Sequence, residues 1–76
     1  MGKVKVKFLG YIADLAGASE AEVDVEGEAR VEDIVPVIRK LRRSDYVLLV
    51  DGKGAEPDTP VRPGSVVVIL PETGGG

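Results

Sequence analysis

Five large apolar residues, VVVIL at positions 66–70, stand together close to the end of the chain. A strand that is apolar on both faces is typical of the centre of a sheet, where it has a neighbour on each side. The chain has 76 residues, and a domain of this size buries only about 60% of its unfolded surface. We therefore expect alternate residues of this run to pack against one helical layer and the others to stay exposed on the opposite face.

Two further segments alternate between apolar and charged residues, which indicates strands with one buried face. KVKVKF at 3–8 places lysines outward, and EAEVDVEG at 20–27 places acidic residues outward. If the two strands pair antiparallel, the lysine row faces the acidic row, and each such pair contributes ~0.2–1 kcal/mol. We interpret the lysines as part of a neutralised, solvated face rather than a basic docking stripe. The residues between the strands include Gly10 and Gly17, which predicts a loose connection.

Residues 31–45 predict the one main helix of the domain, with apolar residues at helical spacing and basic residues crowded into its last turns. Pro36 is awkward inside this pattern, because proline is tolerated in a first turn but interrupts interior hydrogen bonding. The regular helix is therefore predicted to start near Val35. A strand follows at 46–52, and the Gly- and Pro-rich residues 53–64 are predicted to form ordered loops.

The order strand, loop, strand, helix, strand, loops, strand predicts a two-layer α+β domain. A single helix that links an N-terminal hairpin to a C-terminal pair of strands is the β-grasp (ubiquitin-like) arrangement. We predict a mixed sheet of four to five strands, with the helix across one face and the last strand parallel to the first at the centre. The domain is placed at 1–71, and a flexible glycine-rich tail at 72–76.

The composition excludes most catalytic chemistry, because the sequence has neither Cys nor His. The absence of Cys excludes thiolate nucleophiles and disulfides. The absence of His excludes the commonest general base and the commonest metal ligand. The net charge of −3 argues against nucleic acid as the main partner. No apolar run reaches the ~20 residues of a membrane span. We expect a cytoplasmic protein that is not an enzyme, has no membrane association, and binds no cofactor or metal.

Nearly the whole chain resembles the ubiquitin-like sulfur carriers. The likeness rests on VKVKFLGYIADLAGASEAEVDVEG, VEDIVPVIRKL and DGKGAEPDTPVRPGSVVVILPETGGG, and its most specific parts are DTPVRPGSVVVILP and the glycine terminus. The nearest member is the molybdopterin synthase small subunit, with the thiamine sulfur carrier and the archaeal ubiquitin-like modifiers as relatives. The resemblance implies that the terminal carboxylate is adenylated and converted to a thiocarboxylate. It assigns this chemistry to Gly74, Gly75 and Gly76, since glycines pass a narrow channel that side chains would block.

The resemblance also implies partners: an adenylating enzyme similar to ubiquitin-activating enzymes, and the molybdopterin synthase large subunit or another sulfur acceptor. Three alternatives stay open. The protein could instead be a modifier joined to the lysines of target proteins, or a carrier for thiamine synthesis or tRNA thiolation. It could also be an interaction module that uses no terminal chemistry.

The tail departs from the family pattern in two respects. The family commonly has Pro-Pro before the final glycines, whereas residues 70–73 read LPET. The third glycine leaves either Gly75 or Gly76 as the activated end. The letters LPETG also match the recognition motif of cell-wall sortases, and LPETGGG matches a labelling tag, so an engineered terminus stays an alternative. A natural sortase substrate needs a secretion signal, an apolar span and a basic tail. We find none of these three features in the sequence and therefore favour the carrier tail.

The exposed apolar face of the sheet predicts a partner-binding surface. Its register cannot be fixed from the sequence, because a shift of one residue exchanges the two faces, and Val67 and Ile69 would then point outward. The neighbouring strand contributes Leu48 or Leu49. The predicted partner-binding residues are Val66, Val68, Leu70, Leu48 and Pro71.

Overall fold

The computed structural model describes residues 2–72. Within this range the elements are β1 (Gly2–Phe8), α1 (Tyr11–Ala16), β2 (Glu20–Val25), β3 (Ala29–Arg30), α2 (Val31–Ile34), β4 (Tyr46–Val50), β5 (Lys53–Ala55), β6 (Pro60–Val61) and β7 (Val66–Pro71). Two 3₁₀ turns, Pro36–Lys40 and Arg43–Asp45, lie between α2 and β4.

Five of these strands form one mixed sheet in the order β2-β1-β7-β4-β5. The apolar run in β7 lies at the centre, parallel to β1 and antiparallel to β4. The predicted β-grasp fold and the predicted place of the last strand are both confirmed. The strands β3 and β6 pair with each other as a separate two-stranded sheet, and β5 and β6 come from residues predicted to be loops.

The pairing of β1 with β2 confirms the predicted arrangement of charges. Each lysine of β1 stands opposite an acidic residue of β2: Lys3 opposite Asp24, Lys5 opposite Glu22, and Lys7 opposite Glu20. The Lys3 ammonium and the Asp24 carboxylate are 3.7 Å apart, and both side chains are exposed. An exposed pair of this kind contributes at most about 1 kcal/mol, so the row fixes register more than it adds stability.

The core lies between the inner face of the sheet and the layer formed by α1, α2 and the first 3₁₀ turn. Ile12 of α1, Val31 of α2 and Val67 and Ile69 of β7 are fully buried in one cluster. Burying such a side chain stabilises the fold by ~1.5–3 kcal/mol. The core therefore uses one face of the sheet and leaves the other available.

The predicted helix at 31–45 is broken in the structure. The regular helix α2 ends at Ile34, Val35 follows it outside the helical region at φ −127°, and Pro36 opens a 3₁₀ turn. The residue before a proline is disfavoured in the helical region, and proline itself donates no backbone hydrogen bond. The prediction that regular helix starts near Val35 is wrong, because the regular helix ends just before that residue and a 3₁₀ turn follows it.

A further difference is α1, which occupies the segment predicted to be a loose connection. The two glycines that suggested a loop are its boundaries: Gly10 precedes the helix at φ +58°, and Gly17 follows it at φ +80°. A helix of six residues is too short to be stable alone. The burial of Ile12 in the core holds it in place, and that contact depends on the tertiary fold.

Candidate functional site

The base of the C-terminal tail is held by the neighbouring strand β4. Pro71 is the last residue of β7 and pairs with Tyr46. One residue further, the Glu72 N–H donates to the carbonyl oxygen of Asp45 at 2.9 Å. The backbone is thus fixed on this side up to Glu72, which sets the point from which residues 73–76 continue.

The predicted reactive residues, Gly74, Gly75 and Gly76, lie outside the described residues, so their role stays a prediction, as does the domain boundary at 71/72. The structure does bear on the sortase-like letters LPETG. Leu70 and Pro71, the first two residues of that motif, belong to β7 and pair with β4. Two of the five residues of the motif are therefore part of the sheet, and the remaining three follow the end of β7.

Gly10 approaches the base of the tail closely. Its backbone has φ +58° and ψ −144°, a conformation that only glycine adopts without strain. A Cβ at this position would lie 2.8 Å from Cγ of Pro71. The backbone conformation and the proline ring therefore both require a residue without a side chain here.

We expect Gly10→Ala to destabilise the domain by roughly 2–4 kcal/mol, because backbone strain and overpacking against Pro71 add together. Gly17→Ala is the matched control, since Gly17 also has positive φ but an added Cβ there would have no other atom within 4 Å. It should lose only about 1–2 kcal/mol. Urea unfolding measures both, and Pro71→Ala should restore part of the loss in Gly10→Ala. Equal losses at both glycines, with no restoration, would contradict the proposed contact.

The outer face of the sheet carries an apolar surface, here called the outer patch. It consists of five half-buried residues on the two central strands: Val66, Val68 and Leu70 of β7, and Val47 and Leu49 of β4. In the register of these strands, Leu49 lies beside Val68 and Val47 beside Leu70. The described helices pack on the opposite face, so the outer patch is available for a partner.

Leu48 does not belong to this surface, and its prediction as a partner-binding residue is wrong. Its side chain is 1% exposed and pairs with Ile69 on the core side. Leu49 takes the outward position beside Val68. Val47 could not be selected from its pattern either, because YVLLV is apolar on both faces and offers no alternation from which to choose.

Pro71 also lies apart from the outer patch. By alternation it shares the inner face with Val67 and Ile69, and its ring approaches Gly10 there. The other three predicted residues, Val66, Val68 and Leu70, do point outward, and their binding role stays a prediction.

The outer patch has a cationic border on one side and open space on the other. Lys5 and Lys7 of β1 lie beside β7 in the parallel ladder. Beyond them, Leu9 is 46% exposed near the tail and adds apolar surface at that end. On the far side Leu49 pairs with Gly54 of β5, which has no side chain to cover it. Because Lys5 and Lys7 each stand opposite an acidic residue of β2, the apolar centre of the outer patch, rather than its border, is the part suited to bind a partner.

Arg43 joins β4 to β5 close to the base of the tail. Its guanidinium donates to the carbonyl oxygens of Tyr46 at 2.9 Å and Ala55 at 3.1 Å, and to the Glu56 carboxylate at 3.1 Å. The same group lies 4.9 Å from the centre of the Tyr46 ring, within cation–π range. Burial raises the pKa of the Tyr46 phenol, and the positive charge of Arg43 acts against that rise. Arg43 therefore has a structural role.

The rest of the described chain offers little else for chemistry. Among residues 2–72 no group of three or more Asp or Glu side chains is arranged to hold a metal ion. No helix in this part of the chain is long and apolar enough to cross a membrane. A groove of about 250 Å³ between α1 and the first 3₁₀ turn is lined mainly by apolar residues, with Lys40 as a charged member. None of these features forms a constellation of catalytic side chains.

The sequence from residue 6 to residue 76 matches the model of the ThiS family. This match starts within β1, covers the rest of the described fold and continues through the three glycines. None of the curated proteins matches the sequence significantly.

Several solved structures are similar to this chain over nearly its full length. SAMP1 from Haloferax volcanii has a TM-score of 0.74 and 22% identity, with 99% of this chain and 100% of that chain covered. Small archaeal modifier protein 1 from Methanosarcina acetivorans has a TM-score of 0.71 and 21% identity, with 100% and 98% covered. A candidate molybdopterin converting factor, subunit 1, from Pyrococcus furiosus has a TM-score of 0.74 and 28% identity, with 96% and 100% covered.

Proposed function

The chain belongs to the ThiS family, and on this premise we propose that it is a sulfur carrier whose C-terminal glycine is adenylated and then converted to a thiocarboxylate. The observation that carries the proposal is the extent of the family match at the C-terminus. The family match continues to Gly76, four residues past Glu72, the last residue with a described backbone hydrogen bond. The sequence contains no Cys or His, so the terminal carboxylate is the group best suited to carry sulfur.

The proposed chemistry takes place in two steps. An oxygen of the terminal carboxylate attacks the α-phosphate of ATP, which forms an acyl-adenylate and releases pyrophosphate. A sulfur nucleophile, such as a persulfide, then attacks the acyl carbon and displaces AMP, and reduction of any remaining S–S bond by a thiol leaves the thiocarboxylate. The four residues after Glu72 span at most about 13–14 Å, so the carboxylate can enter a partner's site while the domain docks outside it.

The outer patch is the surface that we assign to the adenylating enzyme. Val68 and Leu49 lie side by side near its centre, and full burial of one such side chain contributes ~1.5–3 kcal/mol. Two or three of them could supply most of the energy of a transient complex.

The sulfur acceptor that we favour is the large subunit of molybdopterin synthase. The support is the Pyrococcus furiosus protein, which is named for molybdopterin conversion and is 28% identical over 96% of this chain. Carriers for thiamine synthesis or tRNA thiolation use the same terminal chemistry, so the acceptor has to be identified by reconstitution. In each case the protein acts as a carrier and not as an enzyme.

Incubation with an adenylating enzyme, ATP and a sulfur donor tests the proposal. We expect the intact mass to increase by the difference between sulfur and oxygen, because one terminal oxygen is replaced. A sample without ATP is the control and should keep its original mass. A terminus that stays unmodified with several adenylating enzymes would refute the carrier function.

A second candidate function is attachment to other proteins as a ubiquitin-like modifier. Two of the similar structures described above are small archaeal modifier proteins, although at 21–22% identity they establish the fold alone. A lysine amine would then attack the activated glycine in place of sulfur, and an isopeptide bond would form. Conjugates in cells that carry this chain through an isopeptide bond, and that disappear when the glycines are deleted, would favour this function.

A further inference from the structure

The two edges of the main sheet differ in how they are protected. At one edge β5 has three residues, and the Arg43 guanidinium donates to the carbonyl oxygen of Ala55. At the other edge β2 has six residues and, among the strands of residues 2–72, pairs only with β1. An exposed strand edge offers a row of backbone donors and acceptors to another chain. The edge of β2 is therefore the more accessible of the two.

The register of β1 and β2 shows which backbone groups point to this free edge. The Phe8 N–H donates to the Ser19 carbonyl oxygen at 2.9 Å, which marks a hydrogen-bonded pair. Along an antiparallel ladder, hydrogen-bonded pairs alternate with pairs that are not hydrogen-bonded. The next residues of β2 that bond to β1 are therefore Ala21 and Val23. The residues between them direct their N–H and C=O groups away from β1: Glu20, Glu22 and Asp24.

These same residues carry the acidic side chains of the outer face. Asp24 has the Lys3 ammonium at 3.7 Å. Within residues 2–72, neither Glu20 nor Glu22 has a cationic group within ion-pair distance, although a lysine stands opposite each in the register. On the inner face Ala21 and Val23 are only half-buried, because β2 lies at the rim of the core.

We propose that the free edge of β2 binds an extended segment of a partner protein that has a basic side chain at every second position and small apolar side chains between them. Backbone hydrogen bonds to Glu20, Glu22 and Asp24 would extend the sheet by one strand. The basic side chains would lie opposite the carboxylates, and the apolar ones would cover Ala21 and Val23. On its other edge β2 already pairs with a strand of this kind, the KVKVKF segment of β1.

Charge makes a second copy of this chain a poor occupant. When β2 pairs antiparallel with the β2 of a second copy, the outer faces become continuous. Acidic residues then stand opposite acidic residues, and like charges in directly opposed positions are destabilising. The edge therefore selects a basic strand from a different protein. This interaction does not depend on the terminal glycines and can be tested without activation.

The experiment is an NMR titration of the full chain with the peptide Ac-KVKTKVK-amide. We expect saturable shifts and slower hydrogen exchange at the backbone amides of Glu20, Glu22 and Asp24, because these N–H groups become bonded to the peptide. A peptide of the same composition without alternation, Ac-VKKTKKV-amide, should bind much more weakly. Unchanged exchange at these three amides, equal binding of the two peptides, or a dimer of the free protein that protects these three amides would each overturn the proposal.

Variants separate the hydrogen bonds of the edge from its charge. Glu22→Pro removes one N–H that points to the free edge and leaves the ladder with β1 intact, a position where proline is tolerated. Glu22→Lys should weaken peptide binding roughly fivefold to tenfold, because an attractive pair is replaced by a repulsive one. Asp14→Lys on α1 is the control with the same change in net charge, and it should have little effect. If Asp14→Lys weakens binding as much as Glu22→Lys, the peptide is attracted only by net charge, and the proposal fails.

Discussion

Ile69→Asp is expected to unfold the domain, whereas Val68→Asp, one residue earlier in the same strand, is expected to leave it folded. Ile69 is 0% exposed, and truncating such a residue to Ala alone costs about 2–5 kcal/mol. An unpaired carboxylate in that position adds a large desolvation cost. A domain of this size has a total stability of roughly 4–11 kcal/mol, so little or no folded protein should remain. The carboxylate of Val68→Asp reaches water on the outer face.

Urea unfolding and the adenylation assay together measure this pair of variants. Val68→Asp should keep a cooperative unfolding transition, and its activation by an adenylating enzyme should fall, because a charge at the centre of the outer patch prevents burial against the partner. Ala18→Asp adds the same charge at an exposed position outside the outer patch and should be activated normally. Normal activation of folded Val68→Asp would exclude the outer patch as the docking surface. Unfolding of Val68→Asp would contradict the assignment of the two faces.

The parts of the fold that could be predicted are those in which one local pattern allows one arrangement. VVVIL is apolar on both faces, so it had to be central, and β7 is paired on both sides. The lysines of β1 and the acids of β2 fix a register by charge, and the structure has that register. The apolar run and the two rows of opposite charge restrict how these strands pair, whatever the rest of the chain does.

The helical layer could not be predicted in the same way, because it depends on contacts distant in sequence. The segment α1 has one fully buried residue, Ile12, and a single buried position gives no periodicity. In the segment 31–45 the helical spacing of apolar residues was genuine, but Pro36 redirects the chain into a 3₁₀ turn that still buries Val37 and Ile38. An α-helix and a 3₁₀ helix can both bury these apolar residues, so their spacing does not show which of the two forms.

The outer patch shows the same limit at the functional site. Choosing between Leu48 and Leu49 requires the register of β4 against β7. Asp51, with φ 52°, fixes that register: its N–H donates to the Val66 carbonyl oxygen, and its Oδ1 accepts from the Val66 N–H, both at 2.9 Å. Asp51 and Gly52 could be predicted to form a turn. The hydrogen bonds between Asp51 and Val66 could not be predicted, because they join residues that are far apart in the chain.

Removing Gly75 and Gly76 is expected to abolish activation and leave the domain as stable as before. Each extended residue spans about 3.3–3.6 Å, so the new carboxylate would stop up to about 7 Å short of the α-phosphate of ATP. A misplacement of only ~1 Å at a reacting group costs on the order of 100-fold in rate, and the loss should be at least that large. The described backbone hydrogen bonds end at Glu72, so the unfolding transition should not change.

The variant without Gly76 alone then locates the activated end. If Gly76 is that end, its removal retracts the carboxylate by one residue, and adenylation falls by about 100-fold or more. If Gly75 is the end, the shortened chain is activated directly, whereas the chain that ends at Gly76 first has to lose that residue. ATP–pyrophosphate exchange with the purified adenylating enzyme measures all three chains. Full activity after removal of Gly75 and Gly76 would mean that the terminal glycines take no part, and the carrier function would be wrong.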